Sequence, residues 1–501
     1  MLDRLISGAK VFDGHKFIHH SHVGIKNGRI AYIGLKKVPA ISQLDVTDYL
    51  LTPGFIDTHS HADYHFTHRN NDGFSALSQG VSTMVVGNCG MSATPKISPN
   101  AILLPASNDK NVNPENQPRR LNGNLPLHVS DLMGHNTLRM HVMGKSGAPN
   151  SRQIDEMSGI LDAFLARGGL GMSVGLNYPE ANGTTETELL SLCRVLAKSG
   201  RPLTCHIRDQ GDGLIEAVDE VLKLGNETGC KVLISHLRPS LERNEILLDD
   251  VLNKIEQNDN FKFDLYPYAA GFSNLAWLFQ HLFQRIPDKS DIIDPQLVED
   301  GGLDVCLNGL EDLHILNHRN SNYIGMTIAA IASNRGERPG KVAQSIYFED
   351  PDCLCIYDNE STPQAVERAL RHPDCFIGSD GYLFSSGEQP LCHPRSYAAF
   401  TGFMVRFVQN GKVSLEDALH RMTQAPAEYF SLSGLGVIRK GAHANVNIFR
   451  LEDLREQADF VKPWQPSLGM HEVIIAGQTV FGTGKILNTG RVGHRVSPQN
   501  I

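Results

Sequence analysis

The middle of this 501-residue chain repeats one unit, a short apolar run followed by a stretch with helical periodicity. The runs lie in GFIDTHSH, GVSTMVVGNCG, HVSDLMGH, GLGMSVGLNYP, RPLTCHIRD, KVLISHLRP, FKFDLYPYAAG and CFIGSDG. Helical patterns such as TETELLSLCRVLAKSG and DGLIEAVDEVLKLGNETG separate them. Such alternation is typical of parallel βα units. Eight runs predict a (β/α)8 barrel of the TIM type, and the Gly-rich phosphate loop of a doubly wound sheet is not found near the first strand.

Both ends of the chain differ from the middle. Residues 1–51 and 431–501 alternate apolar and polar positions between Gly turns, which predicts short strands. We therefore expect a small β-sandwich domain built from both termini, beside a barrel at 52–430. Two stretches interrupt the repeat. The repeat breaks at about residues 282–348, which predicts an insertion after the YPY strand. The Asn- and Pro-rich segment 93–126 predicts a long loop, which is either a lid or plain surface.

Composition restricts the partners and the compartment. A net charge of −9 provides no basic excess for a nucleic-acid backbone. The apolar runs end well before the ~20 residues that a membrane span needs, and MLDRLISGAKVFDGHKF lacks the pattern of a signal peptide. Nine scattered cysteines are typical of a reduced, cytoplasmic protein. Nothing in the pattern indicates an oligomeric state.

Residues that can bind a metal or transfer a proton follow the apolar runs. They are His59 and His61, Cys89, His135, His206, His236, Tyr266 and Tyr268, and Asp380. The C-terminal strand ends of a parallel barrel meet at one face, where barrel enzymes carry their chemistry. Each residue alone has an ordinary explanation, such as a polar strand end, a packing cysteine, a core histidine or a turn-forming aspartate. Their recurrence at successive strand ends favours a metal site.

The motifs GFIDTHSH, VGNCGMS, CHIRD, ISHLRP, DLYPY and GSDG…HPR, in this order, resemble the N-acyl-D-amino-acid deacylases, or D-aminoacylases, of the amidohydrolase superfamily. The resemblance covers nearly the whole chain. Most barrels of this superfamily bridge two metals with a carboxylated lysine late in the fourth strand, but GLGMSVGLNYPE contains no lysine. D-aminoacylases use a cysteine after the second strand instead, and Cys89 matches it. The resemblance thus argues against a hydantoinase or dihydroorotase.

The resemblance implies one tight zinc site and leaves open whether a second, weaker site is occupied. The tight site is formed by Cys89, His206 and His236. The second, weaker site is formed by His59, His61 and Asp380. Thiolate and imidazole ligands suit Zn²⁺. Asp380 also takes a proton from water and returns it to the leaving amine in this scheme.

The resemblance further implies that the substrate is a small N-acyl-D-amino acid, hydrolysed to a carboxylate and a free D-amino acid. Its α-carboxylate is expected to meet Arg395 and Arg238, with Tyr268 as a hydroxyl donor. Surface salt bridges are the alternative role for the arginines, and core packing is the alternative for Tyr266. Residues expected behind the ligands, away from substrate, are His135, Arg208 and Asp209.

Three positions depart from the family pattern. Arg238 replaces a usual lysine, Gln210 replaces the glutamate that follows HIRD, and Asn445 replaces an aspartate of the closing strand. Arginine at position 238 puts the preferred amino acid of the substrate in question. Glutamine at position 210 removes a negative charge near the metal. Two other hypotheses remain: a hydrolase of another amide, such as a dipeptide or cyclic amide, and an inactive barrel that serves as a binding scaffold. The missing lysine counts against the former, and the complete ligand set against the latter.

Overall fold

A computed structural model describes residues 1–18, 22–63, 65–67, 71–95, 121, 124–275, 312–350, 353–357, 360–487 and 491–498. Its centre is a sheet of eight parallel strands in sequential order. We number them barrel strands 1 to 8: Phe55–Asp57, Val81–Val86, His128–Gly134, Gly171–Gly175, Leu203–His206, Val232–Ile234, Phe261–Leu265 and Cys375–Ile377. Nearly every residue of these strands is buried, as expected when helices cover a parallel sheet. The predicted TIM-like barrel is confirmed.

Barrel strands 1 and 8 close the barrel just beyond their C-terminal ends. The backbone N–H of Asp380 donates to the carbonyl of His59 at 2.7 Å, and that of His61 donates to the carbonyl of Gly381 at 2.8 Å. We call this contact the seam. It brings the first and last motifs of the sequence into direct contact.

A buried carboxylate reinforces the seam. Asp57, at the end of barrel strand 1, accepts the backbone N–H of Ser379 at 2.8 Å and its hydroxyl at 2.5 Å. It also accepts the backbone N–H of His59 at 3.1 Å. Burial raises the pKa of Asp57 to about 7, although these hydrogen bonds oppose the rise. The carboxylate therefore links the residue before Asp380 to the HxH motif.

Helices surround the barrel. The α-helices are Phe74–Leu77, His135–Met143, Ser151–Ala166, Glu186–Lys198, Leu214–Thr228, Leu248–Glu256, Pro363–Arg371, Arg395–Phe403, Leu415–Met422 and Gln424–Tyr429. Short 3₁₀ segments are His65–Thr67, Pro179–Ala181, Glu242–Leu247, Ser321–Tyr323 and Leu451–Asp453, and Met404–Val408 is a π-helical turn. The sequence sets their ends: Thr185 caps one helix with a capping box to Glu188, and Gly229 ends another in the left-handed conformation. Among the described helices, none combines the length and hydropathy needed to cross a bilayer.

Strands from both ends of the chain form two sheets beside the barrel. The four-stranded sheet has the order Arg29–Gly34, His22–Lys26, Leu2–Ser7 and Ala40–Asp45. The seven-stranded sheet has the order Lys485–Ile486, Gln478–Gly482, Met470–Ile475, Val446–Phe449, Leu50–Pro53, Lys10–Phe12 and Phe17–Ile18. One apolar cluster contains Ile6 and Val23 of the first sheet and Leu51, Ile448 and Ile474 of the second. The two sheets thus pack face to face as a sandwich.

An extra element lies between barrel strands 7 and 8. Its strands Gly271–Asn274, Leu354–Tyr357 and Leu313–Ile315 form an antiparallel sheet, accompanied by helices Ile328–Arg335 and Pro339–Glu349. Its own apolar cluster includes Leu313, Ile331 and Val342. The paired strands extend the element beyond the expected 282–348, because its first and last strands flank that range. Residues 276–311 of it lie outside the described part of the chain, as does most of the predicted loop 93–126.

The C-terminal segment 491–498 returns to barrel strand 3. The N–H of Val496 donates to the carbonyl of Val129 at 2.7 Å, and Arg495 Nε donates to Asp131 Oδ1 at 2.5 Å. The ring of His128 packs against that of His494, with centroids 4.3 Å apart. The last residues described are therefore part of the folded barrel.

Candidate active site

The six predicted ligands converge at the C-terminal ends of the barrel strands. A three-residue group consists of Cys89, His206 and His236, and a four-residue group of His59, His61, Cys89 and Asp380. Within each group the possible ligand atoms all lie within 4.8 Å of one another. Among the described residues these are the only such groups. They share one thiol, so the two groups form a single cluster.

The distances within the cluster are short. The Sγ atom of Cys89 lies 3.3 Å from His59 Nε2 and 3.6 Å from His236 Nε2. His236 Nε2 lies 3.0 Å from His206 Nδ1, on the neighbouring strand. Across the seam, Asp380 Oδ1 lies 3.0 Å from His61 Nε2 and 3.4 Å from His59 Nε2. Nitrogen, sulfur and oxygen donors from five strand ends thus face one small volume.

The backbone at three of the strand ends is left-handed. Cys89, His236 and Asp380 have φ angles of 53°, 37° and 49°, which non-glycine residues rarely adopt and which often occur at functional sites. The Cys89 loop packs tightly against the next two strands, because a Cβ atom at Gly90 would collide with Asn136 and with the backbone of Gly175. Glycine at position 90 therefore lets the thiol approach the cluster.

The cluster contains anionic groups that favour a bound cation. Burial raises the pKa of the Cys89 thiol, but the charge of His59 and hydrogen bonds from neighbouring histidines outweigh it, so the pKa lies well below its usual value. Burial likewise opposes ionisation of Asp380, yet Arg395 and His59 hold its pKa well below the usual range. Despite burial, neighbouring anions raise the pKa of His61 to about 9. A divalent ion meets the same demand for positive charge and displaces the imidazole protons. The donor set fits zinc.

Three residues other than the predicted ligands contact the ring nitrogens of the cluster histidines. Asp264 of barrel strand 7 lies 3.2 Å from His59 Nδ1 and accepts the backbone N–H of His236 at 2.8 Å. Gln210 Nε2 lies 3.0 Å from His236 Nδ1. The Tyr178 hydroxyl lies 3.3 Å from His206 Nδ1, the same nitrogen that faces His236. Asp264 and Gln210 contact the opposite nitrogen of their histidine, and such partners orient metal-binding imidazoles and set their basicity.

The two predicted arginines lie beside the cluster and share an aromatic ring. Arg395 Nη1 lies 2.7 Å from Asp380 Oδ2. The guanidinium carbons of Arg395 and Arg238 each lie 4.6 Å from the ring centroid of Tyr266. Arg238 Nη2 also donates to the Tyr266 hydroxyl at 2.7 Å and pairs with Glu360. Both arginines are almost fully buried, so they are not surface salt bridges.

Other predicted residues lie apart from the cluster. The Tyr268 hydroxyl donates to Glu456 at 2.6 Å, and the guanidinium of Arg406 lies over its ring. His135 Nε2 lies 2.9 Å from the buried Glu188. Arg208 pairs with Glu220 on the surface, and Asp209 accepts backbone N–H groups of its own loop. In the HIRDQ motif, the contact to the cluster is made by Gln210.

A barrel with a Cys–His–Asp cluster at the C-terminal ends of its strands defines the class of metal-dependent barrel hydrolases. A family model described as "Amidohydrolase family" matches residues 355–481. N-acyl-D-glutamate deacylase of Alcaligenes xylosoxydans xylosoxydans is 31% identical over 494 residues, which cover 96% of this chain and 94% of the relative.

Solved structures agree with this match. N-acyl-D-glutamate deacylase from Bordetella bronchiseptica, crystallised with zinc and a phosphonate mimic of the tetrahedral intermediate, has a TM-score of 0.82 and 29% identity, covering 99% of each chain. A crystal structure of D-aminoacylase has a TM-score of 0.83 and 27% identity, covering 99% of this chain and all of that one. The chain belongs to the D-aminoacylase family of the amidohydrolases. The predicted family is confirmed.

Proposed function

We propose that this chain is a zinc-dependent hydrolase that cleaves N-acyl-D-amino acids to a carboxylate and a free D-amino acid. The observation that carries the proposal is Cys89, which joins His206 and His236 in the three-residue group. Barrel strand 4 ends at Gly175, in the segment GMSVGLNYPE without a lysine, which disfavours the lysine-bridged amidohydrolases. The similarity to deacylases of N-acyl-D-amino acids supports the substrate class.

In this proposal the three-residue group holds one zinc ion tightly, and the four-residue group holds a second ion more weakly. A bound zinc ion supplies Lewis acidity, which polarises the acyl carbonyl and makes water a stronger acid. Despite burial, the charge of His59 and hydrogen bonds from the neighbouring histidines hold the pKa of the Cys89 thiol well below its usual value, which favours the thiolate form that zinc binds.

Asp380 handles the proton in the proposed reaction. Its carboxylate is ionised at neutral pH, so it can accept a proton from the attacking water and give it to the leaving nitrogen. The C–O bond to water forms first and gives a tetrahedral intermediate, and the C–N bond then breaks as the nitrogen takes the proton and leaves as the amine. Arg395, 2.7 Å from the other carboxylate oxygen, holds Asp380 in orientation.

Arg395 and Arg238 bind the substrate's α-carboxylate in this proposal. Both are buried cations on one side of the cluster, around Tyr266. An arginine offers paired donors for a carboxylate. The Tyr268 hydroxyl, directed at Glu456, is not needed for this role, although its predicted contact with substrate stays a prediction.

The test is amine release by the zinc-loaded protein from N-acetyl amino acids in both D and L forms. The proposal expects turnover of D substrates and little or none of their L counterparts. Equal turnover of both forms, or turnover only of dipeptides or cyclic amides, would replace it with another amide hydrolase. Zinc bound without turnover of any of these would leave only the metal site standing.

A further inference from the structure

Arg238 carries an ion pair inside the site that the proposed chemistry does not use. Its partner is Glu360, which follows the extra element between barrel strands 7 and 8. The Arg238 side chain is buried, whereas the Glu360 side chain is 23% exposed to solvent. Glu360 therefore lies between the buried arginine and solvent.

Glu360 is hydrogen-bonded to Nη2 of Arg238, the nitrogen that takes part in both ways in which a guanidinium pairs with a carboxylate. A guanidinium binds carboxylates in pairs of donors, either Nε with Nη2 or Nη1 with Nη2. Nη2 of Arg238 is engaged by both Glu360 and the Tyr266 hydroxyl. Within the described part of the chain, Nε and Nη1 of Arg238 are buried without a hydrogen-bond partner. A ligand carboxylate can thus form a paired contact with Arg238 only by sharing or replacing a position that Glu360 holds.

The charge balance leads to the same restriction. Each arginine already has an internal carboxylate partner, since Arg238 pairs with Glu360 and Arg395 lies 2.7 Å from Asp380. The α-carboxylate of a substrate must therefore share these two cations. A second carboxylate would leave a buried negative charge without a partner, next to Glu360, and such charges are costly.

We propose that Glu360 is a specificity-determining residue that excludes a second carboxylate from the site. The preferred substrates are then N-acyl-D-amino acids with uncharged side chains, and those of D-glutamate and D-aspartate are disfavoured. The inference rests on the proposed function, since it concerns the side chain of that substrate. It sets this chain apart from the relative named for N-acyl-D-glutamate, which is 31% identical.

N-acetyl-D-glutamine and N-acetyl-D-glutamate test the inference, because they are nearly isosteric and differ in one charge. The zinc-loaded wild type is expected to have at least tenfold higher kcat/KM for the glutamine substrate. Glu360→Gln, which keeps an acceptor for Arg238, should reduce this preference about tenfold, or about 1.4 kcal/mol. Glu186→Gln is the matched control, because Glu186 forms an exposed ion pair with Lys223 at 2.6 Å, and it should keep the wild-type preference.

A wild type that prefers N-acetyl-D-glutamate overturns the inference without any variant. An unchanged preference in Glu360→Gln, with both rates lowered equally, also overturns it, since Glu360 would then be only the counter-ion of Arg238. If neither compound is turned over, the proposed function fails for them, and their dissociation constants from the same protein, measured by calorimetry, replace kcat/KM. A tenfold lower dissociation constant for the glutamine compound, lost in Glu360→Gln, supports the inference. Failure of both compounds to bind overturns it.

Discussion

The substitution Asp264→Asn tests how the cluster is held in its metal-binding form. An asparagine carbonyl can still accept the backbone N–H of His236, which lies 2.8 Å from Asp264 Oδ1. Its amide nitrogen then replaces Oδ2, one of the two oxygens near His59 Nδ1, at 3.3 Å, while the retained oxygen lies at 3.2 Å. The retained oxygen is neutral and shared with the backbone N–H of His236, and the new N–H group competes with it for Nδ1, which favours Nδ1 as an acceptor and the proton of neutral His59 on Nε2. Nε2 faces Cys89 and Asp380, and a protonated nitrogen cannot bind a metal.

The expected magnitude follows from the role of Asp264. Loss of the hydrogen-bond partner of a metal-bound histidine typically lowers metal affinity ten- to hundredfold, or about 1.4 to 2.7 kcal/mol. We expect this loss at the four-residue group, to which His59 belongs. The three-residue group should keep its affinity within about threefold, or about 0.7 kcal/mol, because His236 contacts Asp264 through a backbone N–H that asparagine still satisfies.

The assay is competition between the metal-depleted protein and a chromophoric chelator for Zn²⁺, fitted with two sites. Asp131→Asn is the matched control, since it makes the same change in barrel strand 3, where Asp131 pairs with Arg495 instead of the cluster. Two affinities within about twofold of wild type for Asp264→Asn would refute the tautomer argument. A loss of zinc affinity confined to the three-residue group would mean that His59 does not bind a metal.

Three further outcomes are expected. Cys89→Ala should lose zinc and activity together, because both groups share its thiolate; zinc at full occupancy by metal analysis would contradict the ligand assignment. Asp380→Ala should keep zinc in the three-residue group while kcat falls by about 10²- to 10⁴-fold; near-normal turnover would place the base elsewhere. Burial and the charges of His494 and His443 lower the pKa of His128 from 6.5 to about 3. The unfolded chain then binds the proton more readily below pH 6.5, so stability is full above that pH and falls as the pH drops towards 3. This group alone should cost about 2 kcal/mol between pH 7.5 and 5. Thermal melts should show a smaller acid shift for His128→Gln, and an equal shift would contradict the assignment.

The barrel could be predicted because its signals are local. Each barrel strand is a buried apolar run, and each ligand follows such a run by at most a few residues. Barrel strand 1 ends at Asp57, so the seam and not a continuing strand holds the rings of His59 and His61 near Asp380. The motif order carried the family assignment.

The remaining site residues depend on contacts that no local pattern encodes. Glu360 meets Arg238 across 122 positions of sequence, and nothing near either residue signals the pair. Tyr268 lies two positions after Tyr266, but barrel strand 7 ends at Leu265, so the two hydroxyls have different partners. Asp264 did leave a signal: a carboxylate within the apolar run FKFDL must find a partner when buried.

The seam also separates the two groups in the order of synthesis. Its two sides are 322 positions apart, and the chain is made from its N-terminus. The ligands of the three-residue group have all been made once His236 is added, whereas the four-residue group must wait for Asp380. Because a domain generally folds as a unit, closing the seam completes the ring of strands and the four-residue group in the same step.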